Sequence, residues 1–489
     1  MRQFLAFLLG AGLAAPLFAQ NESDILRYSQ TEVFGTLRNI GMGGTAGAVG
    51  ADLSSGFSNP AGLGLYRRGD VGFHWGFTGA TTRTNYGDLT QRGSNSNAPV
   101  SNAGLAITYP SIHPDWPFVT LAVAYQKRAE FHQQITFDGA SIGGSLLDVF
   151  LDQAQGFYPA SFNAFQANPA WESYLLDPDP TDPACETCYV SAMDEAGGAR
   201  ASKRIDRTGT HAETAISFAA NFRHRLYFGG SVGLPRVTFS EQTRHEETPL
   251  TDTIALTGWS YSELLDIEGS GVNLRLGAIW AAADWMRVGV NYATRSRLSF
   301  RDGFSTRVNS AFNDGTSYEF SSPLTQFEYI IYTPARLSAQ AVFVMGKAGL
   351  VTAEYERTDY GQGELRAAAF AGPTAYDYAA ENETAAAIYT VSHAARMGAE
   401  FRIARNHRLR LGAGMAPSPY SLAADVQTDA TRYHGSIGWS YRSETWYAGF
   451  SYLMTVWEED LYLWGLNTLP PAALYRQNGQ FTLGVGARL

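Results

Sequence analysis

Gln480-Phe481-Thr482-Leu483-Gly484-Val485-Gly486-Ala487-Arg488-Leu489 alternates strictly, with Phe481, Leu483, Val485, Ala487 and Leu489 on one face and Thr482, Gly484, Gly486 and Arg488 on the other. Period two is the pattern of a strand whose faces meet different surroundings. It recurs from Val71 to the C-terminus without enough helical periodicity to cover the apolar faces, so the cover it predicts is lipid. Tyr433, Gly435, Ile437, Trp439 and Tyr441 oppose His434, Ser436, Gly438 and Ser440 in the same way. Met286, Val288, Val290 and Tyr292 oppose Arg287, Gly289 and Asn291. The first set of each is expected to face lipid, the second the lumen.

The segments predict an all-β chain, a transmembrane antiparallel β-barrel of about 14 strands, an even number as in bacterial single-chain barrels. Strands are expected near 71–82, 101–110, 117–130, 211–224, 225–241, 268–282, 284–300, 333–346, 348–359, 388–404, 406–418, 430–442, 444–458 and 477–489. Short turns, such as Arg223–Arg225 and Arg442–Glu444, alternate with long segments at 83–100, 131–210, 242–267, 301–332, 360–387, 419–429 and 459–476. Short turns belong to the periplasmic side and long loops to the outside. The 50 Gly, 26 Tyr, 28 Phe and 10 Trp suit a wall that is small or polar on every second residue and girdled by aromatics. A net charge of -10 leaves no basic footprint for nucleic acid.

Met1–Gln3, Phe4–Phe18 and Ala19 read as the basic, apolar and cleavage regions of a secretory signal over 1–19, with no Cys after the site for a lipid anchor. Beyond it no apolar run reaches the roughly 20 residues of a spanning helix. The expected organisation is signal 1–19, a hatch over 20–69 that plugs the lumen, and a barrel over 70–489 with a long extracellular loop at 131–210. Residues 35–66 are rich in small residues that can pack closely inside a Gly-lined lumen. Their glycines make no phosphate loop, because no Lys follows at the required spacing.

Gly41-Met42-Gly43-Gly44, Asp52-Leu53-Ser54-Ser55 and Asn59-Pro60-Ala61-Gly62-Leu63, placed just before the first strand, resemble the hatch of FadL/TodX-type outer-membrane transporters of long-chain fatty acids and other hydrophobic compounds. With Arg27-Tyr28-Ser29-Gln30 the hatch is similar to the variants of Bacteroidetes-like bacteria. The resemblance implies a fourteen-stranded barrel in the cell outer membrane and passive uptake of a hydrophobic small molecule, without a cofactor. Cargo would be caught by outer loops and released sideways through a wall gap, which that family has at its third strand. It makes Asn59, Pro60, Ala61 and Gly62 the expected gating residues. Expected partners are the substrate, outer-membrane lipid and, through the C-terminal strand, the barrel-assembly machinery; the expected state is a monomer. The alternative is a FadL-like barrel that docks or shuttles cargo for a secretion system.

Pro235 removes a ladder hydrogen bond from the fifth strand and reads either as an ordinary bulge or as a lateral opening. Leu146, Leu147, Val149, Phe150 and Leu151 suit a short amphipathic helix within 131–210. With Phe157, Tyr158, Phe162, Phe165 and Trp171 they form either a private core that caps the barrel or a groove for substrate capture. Cys185 and Cys188 supply half of a zinc site and read as a disulfide. Asp177, Asp179 and Asp182 lack the Gly turn of a calcium loop. His74, His211, His393 and His434 show no spacing for metal or haem. Lumen charges such as Arg275, Arg287, Glu354, Arg396, Glu400 and Arg410 are expected to pair with one another and with hatch backbone. Ser392-His393 has no third partner, so enzyme chemistry is not expected.

Overall fold

The computed structural model describes residues 21–368, 376–424, 427, 429–462 and 470–489. The expected signal segment 1–19 lies outside the described residues. Fourteen wall strands follow in order, several of them interrupted. They are β1 (Asp70–Tyr86), β2 (Leu89–Asn97 and Val100–Pro110), β3 (Phe118–Glu130 and Gln133–Ile142) and β4 (Ala199–Phe222). Next come β5 (Leu226–Pro249), β6 (Leu256–Ala283) and β7 (Met286–Ala293 and Arg297–Phe312). β8 comprises Ser317–Ser321, Thr325–Tyr332 and Arg336–Val344, and β9 comprises Gly349–Asp359 and Glu364–Ala367. β10 (Val391–Arg402), β11 (His407–Ala416), β12 (Arg432–Arg442), β13 (Trp446–Leu461) and β14 (Ala472–Arg488) complete the wall.

Neighbours in sequence pair antiparallel, and β14 pairs with β1 from Asp70↔Arg488 to Asn85↔Ala473, which closes the barrel. The terminal alternation has the expected sidedness. Phe481, Leu483 and Val485 are exposed on the outer face, whereas Thr482 is fully buried. Phe73, Trp75 and Phe77 on β1, Ile216 and Phe218 on β4, and Tyr433 and Ile437 on β12 continue the outer apolar surface. Among the described residues no helix is long and apolar enough to cross a membrane.

The wall rises further than the alternation predicts. Segments 242–267 and 301–332, expected as loops, are largely strand: β5 continues to Pro249, β6 begins at Leu256 and β7 continues to Phe312. Above the lipid the outer face needs no apolar residues, so Arg204, Arg244, Glu246, Arg301 and Glu328 pair there in water and hide the period from a hydropathy reading.

Residues 143–198 form a lid. Its helix Leu146–Ala154 starts at Ser145 with a capping box completed by Asp148, and buries Leu146, Leu147, Phe150 and Ala154. The lid core continues through Phe162, Leu175 and Tyr189 onto Trp259 and Tyr261 of β6 and Val308 of β7. Buried Glu247 of β5 anchors it, accepting the Leu146 amide at 2.8 Å and the Trp259 indole at 3.1 Å, with a further bond from the Ser145 hydroxyl.

Candidate functional site

The chain from Asn21 to Gly69 lies inside the barrel. Its first helix, α1 (Glu22–Ser29), is capped by the Asn21 side chain and places Ile25, Leu26 and Tyr28 against Val237 and Phe239 of β5, Leu298 and Phe300 of β7 and Tyr329 and Ile331 of β8. The second, α2 (Leu37–Gly41), is capped by Thr36 and lies along β12 to β14. Ser451 donates to the Leu37 carbonyl at 2.7 Å and Ser436 to the Gly41 carbonyl at 3.2 Å.

Asn59 is fully buried and joins plug to wall. Its Nδ2 donates to the Val290 carbonyl at 3.2 Å and to Gln340 Oε1 at 3.0 Å, while its Oδ1 accepts the Ala61 amide at 3.1 Å. The last bond caps the 3-10 turn Pro60–Leu65. Two wall positions that face this turn at close range, Gly229 and Gly277, have no side chain. A Cβ on Gly277 would stand 2.0 Å from Asn59 Oδ1, and one on Gly229 would stand 2.4 Å from the Pro60 carbonyl carbon. A Cβ on Gly412 would lie 2.2 Å from the Gly43 nitrogen. Glycine at these contacts lets backbone approach closely, and Met42, Val49, Leu53, Phe57 and Leu63 add buried apolar contact, so the plug seats by shape, hydrogen bonds and apolar packing.

The space left around the plug is polar. A central chamber of about 90 Å³ is lined by Arg128, His211, Glu213, Arg275, Arg336 and Glu356 among others. An upper chamber of about 310 Å³ is lined by Phe131, Phe239, Tyr420, Trp457, Arg432 and Arg476 among others, and Glu32 borders both chambers. Most of the charge is internally matched. Arg275 forks onto Glu213, Arg396 reaches Glu354 at 2.8 Å, and Arg410 and Arg38 share Glu400 at 2.7 and 3.1 Å. Arg287 donates to the Val49 carbonyl at 3.0 Å. Buried charges persist only with such partners.

One stretch of wall lacks a ladder. β2 and β3 pair from Pro110↔Phe118 up to Asn102↔Gln126 and no further. Above that point Leu89–Asn97 stays with β1, whereas β3 passes a register shift between Lys127 and Ala129 and turns inward. There Gln133 donates to Thr82 of β1, and Ile135 packs on Leu474 of β14. The plug fills the resulting seam. Glu32 N–H donates to the Arg128 carbonyl at 2.8 Å, Glu32 Oε2 accepts the Glu130 amide at 3.2 Å, and Gly35 exchanges hydrogen bonds with Ser101 of β2. Glu130 is the hub: it accepts Asn97 Nδ2 and Thr78 Oγ1 at 3.4 Å and also contacts Lys127 and His132. A cavity of about 30 Å³, bounded by Glu32, Phe34, Asn97 and Glu130, lies at this seam.

The seam differs from the opening weighed at Pro235. That residue faces Glu213 of β4, and the β5–β6 ladder holds one register on either side of it, from Ser270↔Arg236 to Asn273↔Gly233. Losing one amide donor leaves the flanking pairs intact, so the wall stays closed there. The capture aromatics also divide. Phe162, Trp171 and Tyr189 form an edge-to-face cluster with centroids 5.2–5.9 Å apart, and Phe165 lies 5.1 Å from Phe304 of β7. These three aromatics of the expected capture set serve the lid's own packing, which leaves Phe157 and Tyr158 outward. Cys185 and Cys188 are joined in a disulfide at the lid surface.

Glu32, Lys127 and Glu130 escaped the sequence reading. Lys127 carried a usable signal, as one of only three lysines in the chain and on the alternation's inner face. Pro99, which splits β2, was a second.

No family model and no curated protein matches the chain by sequence. Solved structures do match. The P. putida toluene transporter TodX is 12% identical with a TM-score of 0.54, and a Pseudomonas aeruginosa FadL homologue is 12% identical with a TM-score of 0.55. The Ralstonia pickettii toluene transporter TbuX is 14% identical with a TM-score of 0.50. Each match covers 94% of this chain and 99% of the other. At such identities the likeness is one of architecture, and over nearly its whole length the chain has the FadL/TodX-type barrel fold.

Proposed function

We propose that the protein is an outer-membrane channel for passive uptake of hydrophobic small molecules, long-chain fatty acids among them, with release sideways between β2 and β3. The observation that carries this reading is the missing β2–β3 ladder above Asn102↔Gln126, filled by plug residues Glu32–Gly35 rather than by a neighbouring strand. Unpaired strand edges inside a bilayer are costly, so a gap retained there and stoppered by a separable segment has the form of a gate. Outward of it lie Trp75 and Phe77, which present an apolar surface to lipid. Asn59, Pro60, Ala61 and Gly62 hold the stopper's far end and act as its latch. The chain performs no chemistry on the cargo. Its lid turns most of its aromatics inward, which leaves a docked partner little apolar surface and favours transport over a secretion-docking role.

The test uses cells expressing an Asn97→Cys, Glu130→Cys variant whose two thiols are bridged by a short, reducible bifunctional reagent. Uptake of radiolabelled oleate and toluene is measured before bridging, after it and after reduction. Bridging is expected to lower protein-dependent uptake at least about tenfold, a cost of about 1.4 kcal/mol in barrier height, with recovery on reduction. Full bridging that leaves uptake unchanged would remove the lateral exit. No protein-dependent uptake of either probe would turn the reading towards docking.

A further inference from the structure

At the short-turn end of the barrel, a cavity of about 610 Å³ opens between the plug and the ends of β1 and β11 to β14. Its size falls within the range of small-molecule sites. It is amphipathic. Leu37, Leu53 and Leu65 of the plug supply an apolar side. Tyr447 supplies a platform: a Cβ on Gly486 would meet its ring carbon at 2.2 Å and one on Gly72 its hydroxyl at 2.7 Å, so two bare positions on neighbouring strands let the ring lie along the wall.

The other side is arginine. Arg38, Arg67, Arg68, Arg410, Arg442 and Arg488 line the cavity, against Asp52, Asp70 and Glu444. Arg38 and Arg410 are occupied by Glu400. Asp52 is committed to the Thr36 hydroxyl at 2.8 Å and the Ser54 amide at 2.8 Å, while Asp70 accepts the Tyr66 hydroxyl at 2.8 Å on one oxygen and faces its strand neighbour Arg488 with the other, which has no hydrogen bond among the described residues. The remaining guanidiniums are poorly matched. Among the described residues Arg68 and Arg442 make no ion pair, and the buried Nη2 of Arg488 has no hydrogen-bond partner. Lumen arginines elsewhere each have a carboxylate or a neutral oxygen, as Arg275 and Arg396 have Glu213 and Glu354 and Arg287, Arg336 and Arg432 have Val49, Thr31 and Gln30, whereas this apolar-floored cavity gathers arginine in excess of its carboxylates.

We propose that this cavity binds a small organic anion from the periplasm, a compound with a carboxylate or phosphate head and a compact apolar body. The head is bound by Arg442, Arg488 and Arg68, since guanidinium forks match planar and tetrahedral oxyanions in bidentate fashion. The body rests on Tyr447 and the plug leucines. Ligand here touches Leu37 and Leu53 on the same segment whose displacement uptake requires, so occupancy holds the plug in its seated position. The site stands apart from the seam, and its binding is measured without transport, so either reading can fail alone.

The test is calorimetric titration of the full-length mature protein in nanodiscs with 1-naphthyl phosphate, and in parallel with neutral 1-naphthol, subtracting empty nanodiscs. The variant is Arg68→Gln with Arg442→Gln, two residues outside the plug latch, and the control is Arg301→Gln at the opposite end. Retained heat-modifiability on gels verifies that each variant is folded. Naphthyl phosphate is expected to bind with a dissociation constant below about 1 mM and to weaken at least about tenfold in the double variant, with the control unchanged. Naphthol is expected to bind at least about tenfold more weakly than the phosphate. No binding up to 1 mM, equal binding by the double variant, or naphthol binding as tight as the phosphate each overturns the site.

Discussion

Replacing Asn59 by Ala isolates the latch between plug and wall. The amide makes three hydrogen bonds, to Val290, Gln340 and Ala61, in a position without solvent. Two of them, to Val290 and Gln340, cross to the wall, and at about 1 kcal/mol net for each the plug loses about 2 kcal/mol of docking energy. A difference of that size shifts the seated-to-released ratio by roughly 30-fold. The chain has two cysteines, both in the lid disulfide, so a thiol introduced at buried Ser55 is a specific reporter. In Ser55→Cys protein, labelling by a small maleimide reads transient release of the plug. Where reclosure outpaces labelling, the rate follows the released fraction, so adding Asn59→Ala should raise it by roughly 30-fold. Reconstituted in planar bilayers, the same variant should show a larger open probability. A labelling rate within threefold of the parent would refute the latch, because two buried hydrogen bonds to the wall could not then be holding this turn.

Gly412→Val places side-chain atoms where the Gly43 nitrogen sits, 2.2 Å from the ideal Cβ, so the plug should fail to seat while the barrel still forms. Gel heat-modifiability should persist, with a permanently raised small-solute permeability in liposome swelling. Glu247→Ala removes the acceptor of two lid donors, the Leu146 amide and the Ser145 hydroxyl, and should loosen the lid by about 3 kcal/mol. Limited proteolysis should then cut near exposed Phe157 and Tyr158 while the strands remain protected. Cys185→Ser with Cys188→Ser opens a ring of only a few residues, so lid protection should fall by no more than about 2 kcal/mol.

The wall was legible where lipid imposes a rule. Phe481, Leu483 and Val485 had to alternate with Thr482, Gly484 and Gly486 because bilayer and plug lie on opposite sides of one strand. The rule stops at the top of the lipid, and so did the reading: Trp259 and Tyr261 belong to β6 but face the lid, and nothing in their spacing distinguishes them from loop aromatics. The Asn-Pro-Ala-Gly turn was visible through its resemblance to a known hatch, whereas its close seats at Gly229 and Gly277 of the wall became visible only in the fold. The seam left no local motif beyond Pro99 and Lys127, and only the resemblance pointed to the third strand. It is an absence of pairing between Leu89–Asn97 and β3, and pairing depends on how far β3 bends after Lys127 rather than on any local motif. Pro235 misled for the complementary reason, since a lost amide is visible in sequence but the ladder around it is not.

The two halves of the plug are held to different extents, which sets the order of release. Ile25, Leu26 and Tyr28 of α1 are buried among aromatic and aliphatic side chains, with the Tyr28 ring 4.6 Å from Phe300. At roughly 1.5–3 kcal/mol for each buried side chain, this contact resists removal by more than about 4 kcal/mol. The lower half buries Met42, Val49, Leu53, Phe57 and Leu63 against the wall and adds the Gly43–Gly412 approach and the Asn59 amide. With more apolar contact than α1 and directional ties besides, it is the more firmly held. α1 should therefore swing out first while the lower half stays seated, drawing Glu32 off β3 and Gly35 off β2. Maleimide labelling of Ile25→Cys and Ser55→Cys in separate proteins distinguishes this from rigid ejection. Ile25→Cys should label at least about tenfold faster, and a further Asn59→Ala change should accelerate Ser55→Cys alone. Equal rates at both positions, rising together with Asn59→Ala, would mean that the plug leaves as one body and that the lower half does not act as a pivot.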